Sequence, residues 1–515
     1  MISPIVLYRL SVSPLVHGQC NACAETISVW TDIGLAGATG NCDARGQCDA
    51  CAEAAVCARS WGPACLDADI ALVPAARIAC SLPGDHQVAL SPAAVPSLAI
   101  LNAPAAYLLH AFEAGCTPAS VLAHLPADYP PEPSRAAIEE MIRLGLLVPA
   151  GAQPHLPPET PTTLNAWLHV TNACNLDCAY CYVARSGEAM TPEVGRRAVD
   201  IVLRVAVRHG FTALRLKYAG GEPSLNFPLV AELHRYARAQ AGQLGLELEG
   251  VLLSNGVDLG DRLLATLLAQ NIGLAVSLDG LDGSHDAQRP RADGSGTARP
   301  VQRTLERAQA LGLCPDVTVT VTDRNLDSLA ETVAWLLEHD LPFALNFYRE
   351  HGRSAGRRDL ALRDGRLIEG VRRAFAVIEA NPPRYSLLNC LLDRVQMAAP
   401  HHYPCAAAHN YLVVDHRGRV AQCQMALNHP VSTLWAEDPL ADIQNAPDGI
   451  PGLSVEEKEG CAGCEWRYWC AGGCPLQAYR ATGRYDTRSP LCAVYRALMP
   501  DLLRLEGLRL LQSGR

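Results

Sequence analysis

The chain is poor in what a binder of polyanions needs. Lys and Arg total 43 against 53 Asp and Glu, a formal net charge of −10. That balance excludes nonspecific attraction to nucleic acid or to an anionic membrane surface. Lysine is almost missing: Lys217 and Lys458 are the only two. The other cations are arginine, a compositional bias from which no function is read. No uninterrupted apolar run reaches the roughly 18 residues of a membrane span. Met1-Ile2-Ser3-Pro4 lacks the basic start and long apolar stretch of a signal peptide. The expectation is a cytoplasmic protein with no nucleic-acid and no membrane partner.

Cysteine, by contrast, is abundant, with 21 residues. In a reducing compartment these do not read as a disulfide framework. Thiolates kept reduced serve instead as ligands of metals or clusters. The chain divides into four regions. Residues 1–66 are cysteine-rich with little periodicity. Residues 67–152 read as a small mixed domain. A linker with Pro154, Pro157, Pro158 and Pro161 follows. Residues 162–385 alternate strand and helix patterns, and residues 386–515 carry a second cysteine set.

In 162–385, short strand-like runs fall at 166–170, 214–219, 249–253, 273–278, 316–322 and 343–347. Val317-Thr318-Val319-Thr320-Val321 alternates with period two. Between runs, Val199, Val202, Leu203, Ala206 and Val207 mark one apolar helix face within 192–209. Such alternation predicts an α/β fold with a parallel sheet, open or closed into a barrel.

Just after the first strand stands Cys174-Asn175-Leu176-Asp177-Cys178-Ala179-Tyr180-Cys181-Tyr182. Cysteine thiolates are the usual ligands of a [4Fe–4S] cluster, and three ligands leave one iron open. A zinc knuckle lacking a ligand is the alternative for this motif alone. After the second strand comes Gly220-Gly221-Glu222-Pro223, after the third Ser254-Asn255-Gly256, and after the fourth Ser277-Leu278-Asp279-Gly280, then His285, Asp286 and Arg289. All lie at C-terminal strand ends, the active-site face of a β/α barrel.

This arrangement resembles the radical S-adenosylmethionine (SAM) superfamily across 166–347. The resemblance implies a partial (β/α)6 barrel of TIM-like type. It gives Cys174, Cys178 and Cys181 the SAM-cleaving cluster. Gly220, Gly221 and Glu222 would receive the SAM amino group. Ser254, Ser277 and Asp279 fall where members contact the ribose or carboxylate. Arg289 is a candidate for the carboxylate, and Tyr180 packs near the adenine. The implied chemistry is cleavage of SAM to methionine and a 5′-deoxyadenosyl radical, which abstracts a hydrogen atom.

The second set reads Cys405, Gly418, Cys423, then Cys461-x2-Cys464-x5-Cys470-x3-Cys474, and finally Cys492. A zinc ribbon fits the x2 pair but not the other spacings. The pattern resembles the SPASM extension of peptide-modifying radical SAM enzymes. That resemblance implies two auxiliary [4Fe–4S] clusters, a distal one on Cys461, Cys464, Cys470 and Cys492, and a proximal one on Cys405, Cys423 and Cys474. The fourth proximal ligand is either Cys390 or none, leaving an open iron.

In 67–152, strand-like stretches at Ile70–Val73, Ala76–Cys80 and Val88–Leu90 precede helical patterns at 103–114, from Thr117-Pro118, and at about 134–144. This reads as a winged-helix-like unit, yet it is acidic, unlike a DNA reader. Its layout resembles the leader-peptide recognition element of ribosomal-peptide pathways, which binds an extended leader by strand addition. In 1–66, Gly18-Gln19-Cys20-Asn21-Ala22-Cys23-Ala24-Glu25 recurs as Gly46-Gln47-Cys48-Asp49-Ala50-Cys51-Ala52-Glu53. Cys20, Cys23, Cys48 and Cys51 could clamp one zinc or join a further iron–sulfur cluster.

The combined expectation is a maturase of a ribosomally made precursor peptide, forming a thioether or carbon–carbon crosslink and reduced by a flavodoxin or ferredoxin. The alternatives are a sulfatase-maturing, formylglycine-forming enzyme, which needs no leader-binding unit, and a non-catalytic iron–sulfur carrier or scaffold.

Overall fold

The computed structural model describes residues 7–9, 70–93, 98–152, 156, 161–351 and 354–513. The metal-binding expectation for Cys20, Cys23, Cys48 and Cys51 lies outside the described residues.

The N-terminal unit holds strands β1 (Leu7–Arg9), β2 (Leu72–Pro74), β3 (Arg77–Leu82), β4 (His86–Leu90), β5 (Leu98–Leu101) and β6 (Leu147–Pro149). Four of them form an antiparallel sheet in the order β1-β5-β4-β3, and β2 pairs with β6. Three helices, Ala103–His110, Pro118–His124 and Pro131–Arg143, lie between β5 and β6. Thr117 caps the second, its side chain accepting from the Ser120 amide, with Pro118 in the first turn. Leu108, Leu109, Phe112, Ile138 and Met141 close the unit's own core.

The central sheet contains β7 (Thr163–Thr171), β8 (Ala213–Gly220), β9 (Glu247–Ser254), β10 (Ile272–Ser277), β11 (Asp316–Val321) and β12 (Phe343–Phe347). Each is parallel to the next. Helices cover the sheet, so its strands read as nearly continuous apolar runs. The helix Pro192–Arg208 buries Ala198, Val199, Ile201, Val202 and Val205. Thr191 accepts from the Val194 amide at its start. The six parallel strands in sequential order agree with the expected barrel scaffold.

The sheet does not stop at β7. Strands β13 (Tyr411–Val414), β14 (Arg419–Ala421) and β15 (Ser432–Thr433) extend it beyond that strand. β13 runs parallel to β7, in register from Tyr411 opposite Asn165 to Val414 opposite Leu168. The long C-terminal helix Cys492–Ser513 turns back onto the N-terminal unit. A Cβ added at Gly507 would stand 2.7 Å from Leu82 and 3.0 Å from Val88. Arg77 makes a second contact from the N-terminal unit, with its guanidinium 3.7 Å over the Trp466 ring and 2.9 Å from Glu465.

Candidate functional site

The cysteine loop leaves β7 and is held along its whole length. The amides of Asp177 and Ala179 donate to the carbonyls of Pro290 and Gln288, at 2.8 and 2.9 Å. Arg185 donates to the Leu176 carbonyl at 2.6 Å, and His351 Nε2 lies 2.8 Å from the Tyr180 carbonyl. On the other side the loop meets Gly220 and Gly221. The Gly221 amide donates to Thr171 O and the Glu222 amide to Ala173 O, both at 2.7 Å. A Cβ at Gly220 would sit 2.4 Å from Thr171 O, and one at Gly221 would sit 2.4 Å from Ala173 O. Only glycine permits this approach of two backbones. Gly221→Ala is therefore expected to destabilise the fold by about 1–3 kcal/mol through overpacking. It should also weaken SAM binding, read together by thermal unfolding and equilibrium dialysis.

Glu222 is buried and receives three bonds. Ser254 Oγ donates at 2.8 Å, the Ser224 amide at 3.1 Å and the Asn255 amide at 2.7 Å. Burial pushes its carboxyl up, and these donors oppose that. A carboxylate has about four acceptor directions, so one remains for a cationic group. The Ser254 hydroxyl donates to Glu222 and accepts from the Gly256 amide.

Tyr180, Asp279 and Arg289 form one buried cluster. The Tyr180 hydroxyl donates to Asp279 Oδ2, and Arg289 Nη1 donates to the Tyr180 oxygen. Asp279 also accepts from the Thr320 amide at 2.8 Å and pairs with Arg289 at 3.7 Å. Burial raises the Asp279 carboxyl, and Arg289 pulls it back. Arg289 Nε is buried with no partner, a donor left over for an anionic group. Ser277 ends β10 half-buried and takes no part in this network.

Sequence reasoning missed Asn255. Its Nδ2 lies 2.7 Å from Asn175 Oδ1 and 3.9 Å from Cys174 Sγ, so it holds the start of the loop. Its place in Ser-Asn-Gly at a strand end was the available signal. Thr320 and Asn325 were also missed. Asn325 Nδ2 donates at 2.8 Å to the Asp279 carbonyl.

The later cysteines fall into two places. Cys461, Cys464, Cys470 and Cys492 line one cavity, with Trp466, Gly472 and Tyr495. Cys405 lines a second, with His409, Lys458, Pro475 and Tyr485. Cys474 directly precedes Pro475, and Cys423 lies within electrostatic reach of Tyr485. Cys390 is buried in the main core, to which Cys461 also belongs. Its sulfur points at the carbonyls of Leu387 and Ser386, at 3.5 and 4.0 Å. Among the described residues no three His, Cys, Asp or Glu side chains converge as ligands of a single metal ion do. Four thiols on one cavity match the donor set of an iron–sulfur cluster.

A parallel β/α sheet with three cysteines on its first crossover, and a buried carboxylate and guanidinium on the same rim, defines a scaffold for an iron–sulfur cluster and a small zwitterion. Residues 168–336 match the Radical SAM superfamily, and the chain carries a radical SAM domain. It is 26% identical over 171 residues to the sporulation killing factor maturation protein SkfB of Bacillus subtilis (strain 168), covering 33% of this chain and 38% of that one. It is 32% identical over 178 residues to the GTP 3′,8-cyclase of Chlorobaculum tepidum, covering 33% and 49%. The chain thus spans less than two thirds of the length of these relatives. The solved structure of native anSMEcpe with bound AdoMet and Cp18Cys peptide superposes with a TM-score of 0.55 at 17% identity, covering 68% of this chain and all of that one. That likeness is one of fold. No described helix is long and apolar enough to cross a membrane.

Proposed function

We propose that the protein is a radical SAM enzyme that modifies a ribosomally made precursor peptide, installing a thioether or carbon–carbon crosslink. The observation that carries this reading is the cavity lined by Cys461, Cys464, Cys470 and Cys492, a four-thiol site in the same chain as the three-cysteine SAM loop. The similarity to SkfB, a sporulation killing factor maturation protein, supports it. The cyclase match shows that the barrel alone does not choose a substrate, so the weight falls on the flanking regions.

In this reading Cys174, Cys178 and Cys181 hold a [4Fe–4S] cluster. Glu222 and the adjoining backbone take the SAM amino group, and Arg289 takes its carboxylate. Cys405, Cys423 and Cys474 would hold a proximal auxiliary cluster, with Cys390 or an open position as its fourth ligand, and the four-thiol cavity would hold a distal one. When bound, the first cluster supplies the electron that splits the sulfonium C–S bond, and an auxiliary cluster accepts the electron left by the substrate carbon radical. The chain orients the SAM zwitterion, excludes water from the rim and positions one substrate C–H bond. The external electron comes from a flavodoxin or ferredoxin.

The leader docks on 67–152, along the edge of β5 that β1 now covers. That edge already accepts an extended strand of this chain, with Leu7 opposite Leu101 and Arg9 opposite Ala99. Three paired residues closing a segment of roughly 90 residues make a weak contact, because loop-closure entropy opposes it. Deleting residues 1–12 is expected to tighten leader binding by about tenfold, or about 1.4 kcal/mol, read by fluorescence anisotropy of a labelled leader.

The test of the whole reading is mass spectrometry of a short peptide encoded beside this protein, after incubation with reduced, cluster-loaded enzyme and SAM. Loss of two hydrogen atoms per crosslink is expected. Formation of 5′-deoxyadenosine with the peptide mass unchanged would count against crosslinking. Retained peptide modification after deletion of 1–152 would favour the sulfatase-maturing alternative.

A further inference from the structure

We propose that Lys458 is a fixed buried cation shared by the two auxiliary cluster sites, where it raises the reduction potential of both clusters. The inference rests on the two-cluster reading above and adds to it a residue that no cysteine pattern marks.

Lys458 is one of two lysines in a chain with 43 Lys and Arg, and it is buried, at 3% exposure. Its Nζ donates to the Ala471 carbonyl at 2.8 Å. Among the described residues no carboxylate pairs with it. A buried charge without a counter-charge is costly, and proteins retain one only where a partner exists. The groups within electrostatic reach of this ammonium include the sulfurs of Cys405, Cys461, Cys470 and Cys474, along with the rings of His401 and His409. Two of the sulfurs belong to the distal set and two to the proximal set, so the cation stands between the sites.

The geometry of Gly472 agrees. This glycine lines the distal cavity, and its backbone is left-handed, with φ +77°. A Cβ there would lie 2.6 Å from Lys458 Cδ, 3.2 Å from Nζ and 3.5 Å from Cys461 Sγ. On the other side, Lys458 lines the second cavity with Cys405. The stem thus passes between the two cavities, and the space for it exists only because residue 472 has no side chain.

The choice of lysine has a physical reason. Arginine would bring a planar fork of five donors into a space with one carbonyl acceptor. The ammonium has three donors on a compact head. One goes to Ala471 O. A thiolate-ligated cluster carries net negative charge that grows on reduction. A neighbouring cation therefore favours the reduced form, since net charge and hydrogen bonds to sulfur set cluster potentials. In the chain without clusters the same ammonium has no anionic partner.

The experiment compares the full-length, cluster-loaded protein with its Lys458→Met variant by electron paramagnetic resonance during a redox titration, with iron counted per chain. The expected result is a shift of both auxiliary midpoints to lower potential, with the SAM-loop cluster unmoved. Unmoved auxiliary midpoints at full iron content overturn the inference. If the parent protein itself takes up iron for only one cluster, the two-cluster reading fails instead. If the variant loads poorly, unfolding of the iron-free proteins decides. A variant at least as stable as the iron-free parent supports the buried-charge role. A clearly less stable one overturns it in favour of a structural anchor.

Discussion

Replacing Cys178 by alanine is expected to abolish 5′-deoxyadenosine formation, with a fall of at least about 10³-fold, or about 4 kcal/mol in barrier. The loop around Cys178 desolvates its thiol and pushes it up to about 12. The sulfur is therefore protonated near neutral pH until iron displaces the proton, as metal ligation requires. With alanine there, two of the three thiols that would hold the cluster remain. The loop itself should survive, because Pro290, Gln288, Arg185 and His351 tie its backbone down. Iron content should fall by about a third if three clusters are present, while the thermal midpoint changes little. Undiminished 5′-deoxyadenosine, measured by chromatography under strong reductant, would remove the loop from the chemistry.

Arg289→Met is expected to cost about 3–5 kcal/mol of stability, the range for breaking one side of a buried ion pair. Asp279 is nearly inaccessible, and Arg289 is the cation that offsets its burial. Without the guanidinium, the Asp279 carboxyl rises further above its ordinary value. A group raised in the folded state favours folding most below its unfolded value, and that advantage is lost as pH rises through the folded value. The deficit of the variant should therefore be largest at pH 7 and shrink at pH 5, as urea unfolding at both values would show. SAM affinity should fall at either pH, because the buried Nε donor goes with the side chain. A deficit independent of pH would mean that Asp279 is compensated elsewhere.

The parallel scaffold was legible because its signal is local. All six strands and the rim motifs announce themselves within a few residues of sequence. What stayed hidden depends on distant partners. Tyr411-Leu412-Val413-Val414 is a short apolar run whose strand identity comes from β7, in register with Asn165 through Leu168. The start of β7 carries the polar Asn165, which reads poorly as core; its backbone amide donates to the Asn410 carbonyl at 2.9 Å, and its side-chain Oδ1 is buried without a partner. Ser254 shows the complementary limit. Its position at a strand end marks it as site-forming, yet only the folded chain tells that Glu222 has already taken its hydroxyl. Lys458 is the sharpest case. Its rarity was visible as composition, and its meaning lies in what surrounds it.

The register between β13 and β7 has a practical consequence for dissecting the molecule. A chain ended after residue 385 would strip β7 of its neighbour and leave a long parallel edge with unpaired amides and carbonyls. Exposed edges of that kind template association between copies. Such a truncation should come out of the cell insoluble, whatever the fate of its cofactor. The cysteine-rich C-terminal region also supplies the strand that covers the β7 edge of the sheet, so it cannot be lost or engineered away without exposing that edge.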